Sequence, residues 1–146
     1  MADDAFTDEE LLFRNISPSW WRDGDVVSAQ AFQANKNHDW CLSTDRQKVA
    51  TTAQASFTLF TTAKPNGFGR QSVGVCALSV GEVRSCGREV RTDPVAATPP
   101  TDDDPGLPAN PAHAVVPHEQ VRKKMETTAD ELAVHANKRG IVYKLA

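Results

Sequence analysis

Alternating apolar segments set off by turn residues, two stretches with helical periodicity, and a chain too short for two independent cores together predict an α+β fold. The expectation is a single domain in which a small mixed or mostly antiparallel sheet is packed by one central and one C-terminal amphipathic helix. The chain has 146 residues, 40% hydrophobic and 24% charged, the balance of an ordinary soluble domain. Its net charge of -3 argues against a surface built to neutralise phosphates, which needs a concentrated basic footprint. Nucleic acid is therefore an unfavoured partner, and Arg70, Arg84, Arg88 and Arg91 are spread over several segments. No apolar run nears the ~20 residues that cross a bilayer. The acidic start Met1-Ala-Asp-Asp-Ala5 differs from the basic start of a secretory signal, so a cytoplasmic location without membrane contact is expected.

Residues 1–10 read as a flexible acidic N-terminus. Leu11 to Ile16 follows as a first strand, in which Arg14 shares a side with Leu12 and Ile16 while Leu11 and Phe13 point the other way. An arginine on a partly apolar face needs a carboxylate, a backbone carbonyl or a ligand, because a buried unpaired charge is costly. Pro18 and Asp23-Gly24 supply turns on either side of Trp20 and Trp21. These two rings are candidates for core packing, for stacking on a planar ligand, or for a surface that a protein partner would use. Residues 26–32 alternate as a second strand, with Val26, Ser28, Gln30 and Phe32 on one side and Val27, Ala29 and Ala31 on the other. The third strand, ending at Asp45, sets Leu42 and Thr44 against Cys41, Ser43 and Asp45.

Residues 47–63 carry Val49, Ala53, Phe57 and Phe60 at helical spacing, one apolar stripe facing a sheet. The many threonines lower its propensity, so packing must stabilise it. Lys64-Pro-Asn-Gly-Phe-Gly69 breaks the helix as a connector. Residues 72–80, apolar on both faces, read as a core strand; residues 81–87 make one helical turn stopped by Gly87, with Glu82 at its front; residues 89–92 form another short strand. Over residues 94–110 the composition changes to Pro, Thr, Ala and Asp, the mark of an exposed loop. Its run Asp102-Asp-Asp104 lacks the ligand spacing of a calcium loop and reads as solvated. A strand over residues 110–116 then presents His113, a residue type whose imidazole can serve as a base or proton donor. Residues 117–140 give the clearest helix: Val121, Met125, Ala129, Leu132 and Ala136 form the buried stripe, Pro117 starts it, Lys138 and Arg139 suit its negative end, and Gly140 stops it. Residues 141–145 add an edge strand or pack along that helix.

Cys41, Cys76 and Cys86 are odd in number and lack CxxC spacing, which points away from a disulfide framework or a thiolate metal site. No metal and no cofactor is expected. The candidate pocket gathers Arg14, Ser28, Gln30, Ser43 and His113 on one polar face, and Glu82 is a candidate acid.

The order of segments resembles a loose group of small uncharacterised bacterial proteins. The matching elements are Phe13-Arg14 with Pro18, Gly24 followed by Ser28-Ala-Gln-Ala-Phe32, Leu42-Ser-Thr-Asp45, Val73-Gly-Val75 through Gly81-Glu82, Asp93-Pro94, and Asn110-Pro-Ala-His-Ala-Val115. The resemblance runs to about residue 116; it implies a single-domain prokaryotic fold and brings no activity with it. The leading expectation is a non-enzymatic accessory or partner-binding protein of a bacterial operon, acting on another protein encoded nearby. The alternative is a small enzyme with a polar pocket on the sheet, which would take a small-molecule ligand. Arg14, Ser28 and Glu82 are superficially similar to the Arg, Ser and Glu order of NAD-dependent ADP-ribosyltransferases. That resemblance implies Arg14 on a phosphate of NAD, Ser28 supporting the nicotinamide ribose and Glu82 stabilising developing positive charge. Acyl transfer through Ser28 or Ser43 with His113 lacks a nucleophile-elbow motif.

Overall fold

Residues 5–36, 39–62, 71–103 and 106–145 are described by a computed structural model. Along the chain come β1 (Leu11–Asn15), a 3-10 turn (Pro18–Trp20), β2 (Trp21–Arg22), β3 (Val26–Val27), a second 3-10 turn (Ala29–Phe32), β4 (Cys41–Arg46), α1 (Gln47–Ala50) and α2 (Ala53–Thr62). They are followed by β5 (Gly74–Ser79), α3 (Val80–Ser85), β6 (Arg91–Thr92), β7 (His113–Pro117), α4 (Arg122–Arg139) and β8 (Tyr143–Lys144). Six strands form one sheet in the order β6-β7-β4-β1-β5-β8, all of its ladders antiparallel, and β2 pairs with β3 in a separate ribbon. The α+β fold predicted from the hydrophobic periods is the one observed.

The sheet is covered on both faces, which is why β5 is apolar and buried from Val75 to Leu78. On one face α4 sets Ala129, Leu132, Ala133 and Ala136 against Leu12, Ile16, Cys76 and Leu78. On the other, Ala53 and Phe57 of α2 pack over Phe13, Val75 and Ala77. No helix of the described residues is long and apolar enough to cross a membrane.

Several expected elements differ. Only Val26–Val27 of the second predicted strand is extended; Ser28 then caps the 3-10 turn, its Oγ accepting the Gln30 N–H at 3.2 Å. Asn137 of α4 ends the strand by taking both backbone groups of Val27, accepting its N–H at 2.8 Å and donating to its carbonyl at 3.0 Å. Small residues at alternate positions also suit a turn that buries the neighbours Ala31 and Phe32 together. The helix predicted over residues 47–63 is two helices, broken at Thr51, whose φ of 69° cannot continue a helix. Val49 is accordingly exposed and the buried stripe begins at Ala53. Residue 63 and the connector at 64–69 lie outside the described residues.

Pro117 closes β7 instead of opening the last helix, which starts at Arg122 and leaves Val121 exposed. Gly140, at φ 87°, does end it. Residues 5–10 are tied to the body, not loose. Glu10 holds the buried Arg46, Asp8 pairs with Arg84 at 2.6 Å, and the Phe6 ring lies 3.9 Å from the Arg46 guanidinium carbon. The Pro-rich excursion is exposed from Pro94 to Asp103 and folds on itself through the bridges Val95↔Asn110 and Thr98↔Leu107. Asp104 and Pro105 lie outside the described residues.

Candidate functional site

The sheet comes apart in its middle. β1 and β4 pair only at Leu12↔Arg46 and Phe13↔Asp45, yet β1 continues along β5 as far as Asn15↔Val75 and β4 along β7 as far as Cys41↔Pro117. An unbroken register would set Asn15 opposite Ser43. The Arg46 N–H donates to the Ala112 carbonyl at 2.8 Å, so by alternation Thr44 and Leu42 also direct their backbone groups to β7. Those of Ser43 therefore face the gap.

Arg14 reaches across this gap. Its Nε donates to the Ala31 carbonyl at 2.9 Å and its Nη1 to the Ser43 carbonyl at 3.1 Å. The guanidinium carbon lies 5.0 Å from the centre of the Trp20 ring. Two carbonyls and an aromatic face thus hold a charge that pairs with no carboxylate of the described residues. Burial lowers the Arg14 pKa to about 10, with Cys76 and Asp45 opposing the change; the group remains a cation at neutral pH.

A pocket of about 320 Å³ opens at the split. Phe13, Arg14 and Asn15 of β1 and Cys41, Ser43 and Asp45 of β4 line it from the sheet; Leu59 and Phe60 line it from α2, Val95 and Leu107 from the Pro-rich excursion, and His113 from β7. A buried polar chain ties these walls together. Asp45 accepts from the Ser56 hydroxyl at 2.5 Å and from the Asn110 amide at 2.8 Å. Asn15 donates to the Ser56 Oγ at 3.4 Å and accepts from the Ser72 hydroxyl at 2.9 Å. His113 is held from outside: its Nδ1 lies 2.9 Å from the Asp93 carbonyl and 3.2 Å from its Oδ2. Both of those atoms only accept, so Nδ1 carries the hydrogen, and in the neutral ring Nε2 is the acceptor.

Arg14, Ser43 and His113 therefore line one pocket. Ser28 and Gln30 do not: Ser28 is the cap already described and Gln30 is exposed. Glu82 belongs to the capping box of α3, accepting the Ser79 N–H at 2.8 Å while the Ser79 Oγ accepts the Glu82 N–H at 3.0 Å. The same carboxylate takes Arg139 at 2.6 Å, with His135 at 3.5 Å. Burial alone would raise the pKa of Glu82, but the bonds from Arg139 and Ser79 outweigh it and hold the carboxyl below the usual range. Of the Arg, Ser and Glu order, only Arg14 lines the pocket. Trp20 and Trp21 are half-buried, Trp20 against Arg14 and Trp21 with the Lys144 ammonium 5.7 Å from its ring centre.

Sequence reasoning passed over Asn15, Ser56, Asn110 and the apolar walls. Ser56 did carry a signal, a hydroxyl three residues after Ala53 and four before Phe60, on the buried side of its helix. Asn110 had none, since its partner Asp45 lies 65 positions away. No protein-family model, curated protein or solved structure matches the chain.

Proposed function

We propose that this chain is a small-molecule-binding protein whose ligand sits at the split between β1 and β4, beneath α2 and the Pro-rich excursion. The observation that carries the reading is the composition of the pocket. Apolar side chains of Phe13, Leu59, Phe60, Val95 and Leu107 face a few converging polar groups, Arg14, Ser43 and His113, around about 320 Å³. Small-ligand sites have this make-up, with volumes of roughly 300–1,000 Å³. The polar groups are also held in advance, Arg14 by two carbonyls and Trp20, His113 by Asp93. Pre-positioning of this kind lowers the ordering cost of binding. A partner-protein role anchored on Trp20 and Trp21 has less support, because both rings already pack within the chain and each carries a cation.

A fragment screen read by amide chemical shifts tests the proposal. Hits are expected to move the amides of Ser43, Leu59, Val95 and Leu107 as one group, and Ser43→Trp is expected to abolish those shifts while the rest of the spectrum is kept. Hits clustering elsewhere, or none at all, would refute it.

A further inference from the structure

We infer that the ligand of this pocket is a monocarboxylate with a compact apolar body, its carboxylate seated in the gap between Arg14 and Ser43. The inference rests on the pocket reading above and goes beyond it by naming the charged group and the residues that select it.

Three features of the gap point the same way. A guanidinium has five N–H donors, of which Arg14 uses one on Ala31 and one on Ser43. The three left, two on Nη2 and one on Nη1, have no acceptor among the described residues. The Arg14 side chain lines the pocket. One hydrogen from each Nη makes the fork that receives a carboxylate on two oxygens. Beside it stands Ser43, exposed on the pocket side, with a hydroxyl that binds nothing in the described chain and a backbone N–H directed into the gap by the β4–β7 alternation. Arginine, hydroxyl and amide can all donate to an incoming anion's oxygens.

Charge balance limits the anion to one negative charge. Asp45 also lines the pocket, but both of its oxygens are engaged, by Ser56 and Asn110. It lies on the closed side of the split, at the last β1–β4 pair. A carboxylate bonded to Arg14 sits closer to that cation than to Asp45, so attraction wins at equal screening. A dianion's second charge would have no partner of its own, because Arg14 is the only Arg or Lys among the described lining residues, and a desolvated unpaired charge is costly. Arg91, whose Nη2 lies 3.7 Å from the Cys41 Sγ, is exposed and therefore screened. On the other side Leu59, Phe60, Val95 and Leu107 offer nothing to a second charged group.

The test is a titration of the full-length chain with sodium hexanoate, its neutral isostere hexanamide and inorganic phosphate, read on the Ser43 amide and the Arg14 Nε–Hε resonances. Hexanoate is expected to shift both saturably and to bind at least tenfold tighter than hexanamide, with phosphate the weakest. Arg14→Gln is expected to remove the tenfold preference for hexanoate over hexanamide. The wild-type comparison decides the matter even if that variant does not fold. Equal binding of hexanoate and hexanamide in the pocket would overturn the carboxylate inference and leave the pocket reading standing. Phosphate displacing hexanoate at lower concentration would overturn the single-charge argument. Absence of pocket shifts with all three, together with a silent fragment screen, would sink both.

Discussion

Glu10→Gln is expected to destabilise the fold by about 3–5 kcal/mol, the usual cost of removing one partner of a buried ion pair. The upper range applies because the pair is closed to water: the Arg46 side chain is 2% exposed and that of Glu10 8%. Both oxygens are used, Oε2 by the Arg46 Nε at 2.9 Å and Oε1 by its Nη2 at 2.7 Å, and Oε2 also accepts the Lys48 N–H at 3.0 Å. Glutamine keeps the shape but has a single acceptor oxygen and no charge, so Arg46 loses this carboxylate and α1 loses its anchor. Against the roughly 5–15 kcal/mol that keeps a typical domain folded, such a loss lowers the melting temperature by roughly 6–20 °C. The pH dependence gives a second readout. Burial alone would raise the pKa of Glu10, but Arg46 and the Lys48 N–H outweigh it and hold it below the ordinary 4.5. A carboxyl depressed in the folded state contributes stability that is present above its unfolded value and is lost as pH falls through the folded one. Wild-type stability therefore drops below about pH 4.5, and in Glu10→Gln that component is missing. Urea unfolding at pH 7, repeated in steps down to pH 3, measures both. A cost under about 1 kcal/mol at pH 7, the scale of a surface pair, or an unchanged acid limb, would refute the assignment. Glu10→Gln combined with Arg46→Met is expected to cost less than the sum of the two single changes.

Three other changes test separate parts of the structure. Asp45→Asn replaces a double acceptor with a group that turns an NH2 toward Ser56 or Asn110, so it is expected to cost about 1–3 kcal/mol; hydrogen exchange at the Asn110 amide, now bonded to Val95, should quicken, and an unchanged rate would detach the excursion from this network. Thr51→Gly relieves a β-branched residue at φ 69° and ψ -49° and is expected to stabilise by about 1 kcal/mol; a lower melting temperature would show that the break is unstrained. His118 has a fully buried ring whose Nδ1 lies 3.8 Å from the Glu119 Oε1 and whose nitrogens make no well-formed hydrogen bond among the described residues; burial lowers its pKa, with the Phe32 backbone and Glu119 opposing the change. The unfolded chain binds that proton first, so stability falls as pH drops below 6.5. His118→Leu is expected to flatten that slope between pH 7 and pH 5 and to change stability at pH 7 by less than about 1 kcal/mol; a slope like the wild type's would place the proton elsewhere.

How far the sequence could be read depended on where each element's partners lie. The strand at β5 and the helix at α4 were legible because burial on both faces, or on one stripe ending at Gly140, is written into neighbouring positions. The strand over 26–32 was not, since what stops it is Asn137, 110 positions away, closing the backbone of Val27. Likewise the helical period runs unbroken through residues 47–63, while the helix breaks at Thr51, and Glu10, far earlier in the chain, takes the Lys48 N–H in the single turn of α1. Local pattern selects what a segment can form; a distant side chain selects where it stops.

The site shows the same limit more sharply. Two-residue alternation puts Arg14 with Leu12 and Ile16, on the face that α4 covers. It puts Ser43 and Asp45 opposite Val115 and His113, on the face that α2 covers. An intact sheet keeps these two sets apart, so the single polar face expected for Arg14, Ser43 and His113 is not what brings them into one pocket. They share it because β1 follows β5 and β4 follows β7 after the Phe13↔Asp45 pair. Asn15, whose register partner would be Ser43, spends its side chain on Ser56 and Ser72 instead. Two of the fates the sequence allowed for Arg14, a ligand's partner and a tie between backbone carbonyls, are then no longer exclusive. Two of its donors close the gap the parting strands leave, and the other three are those the proposed carboxylate would take.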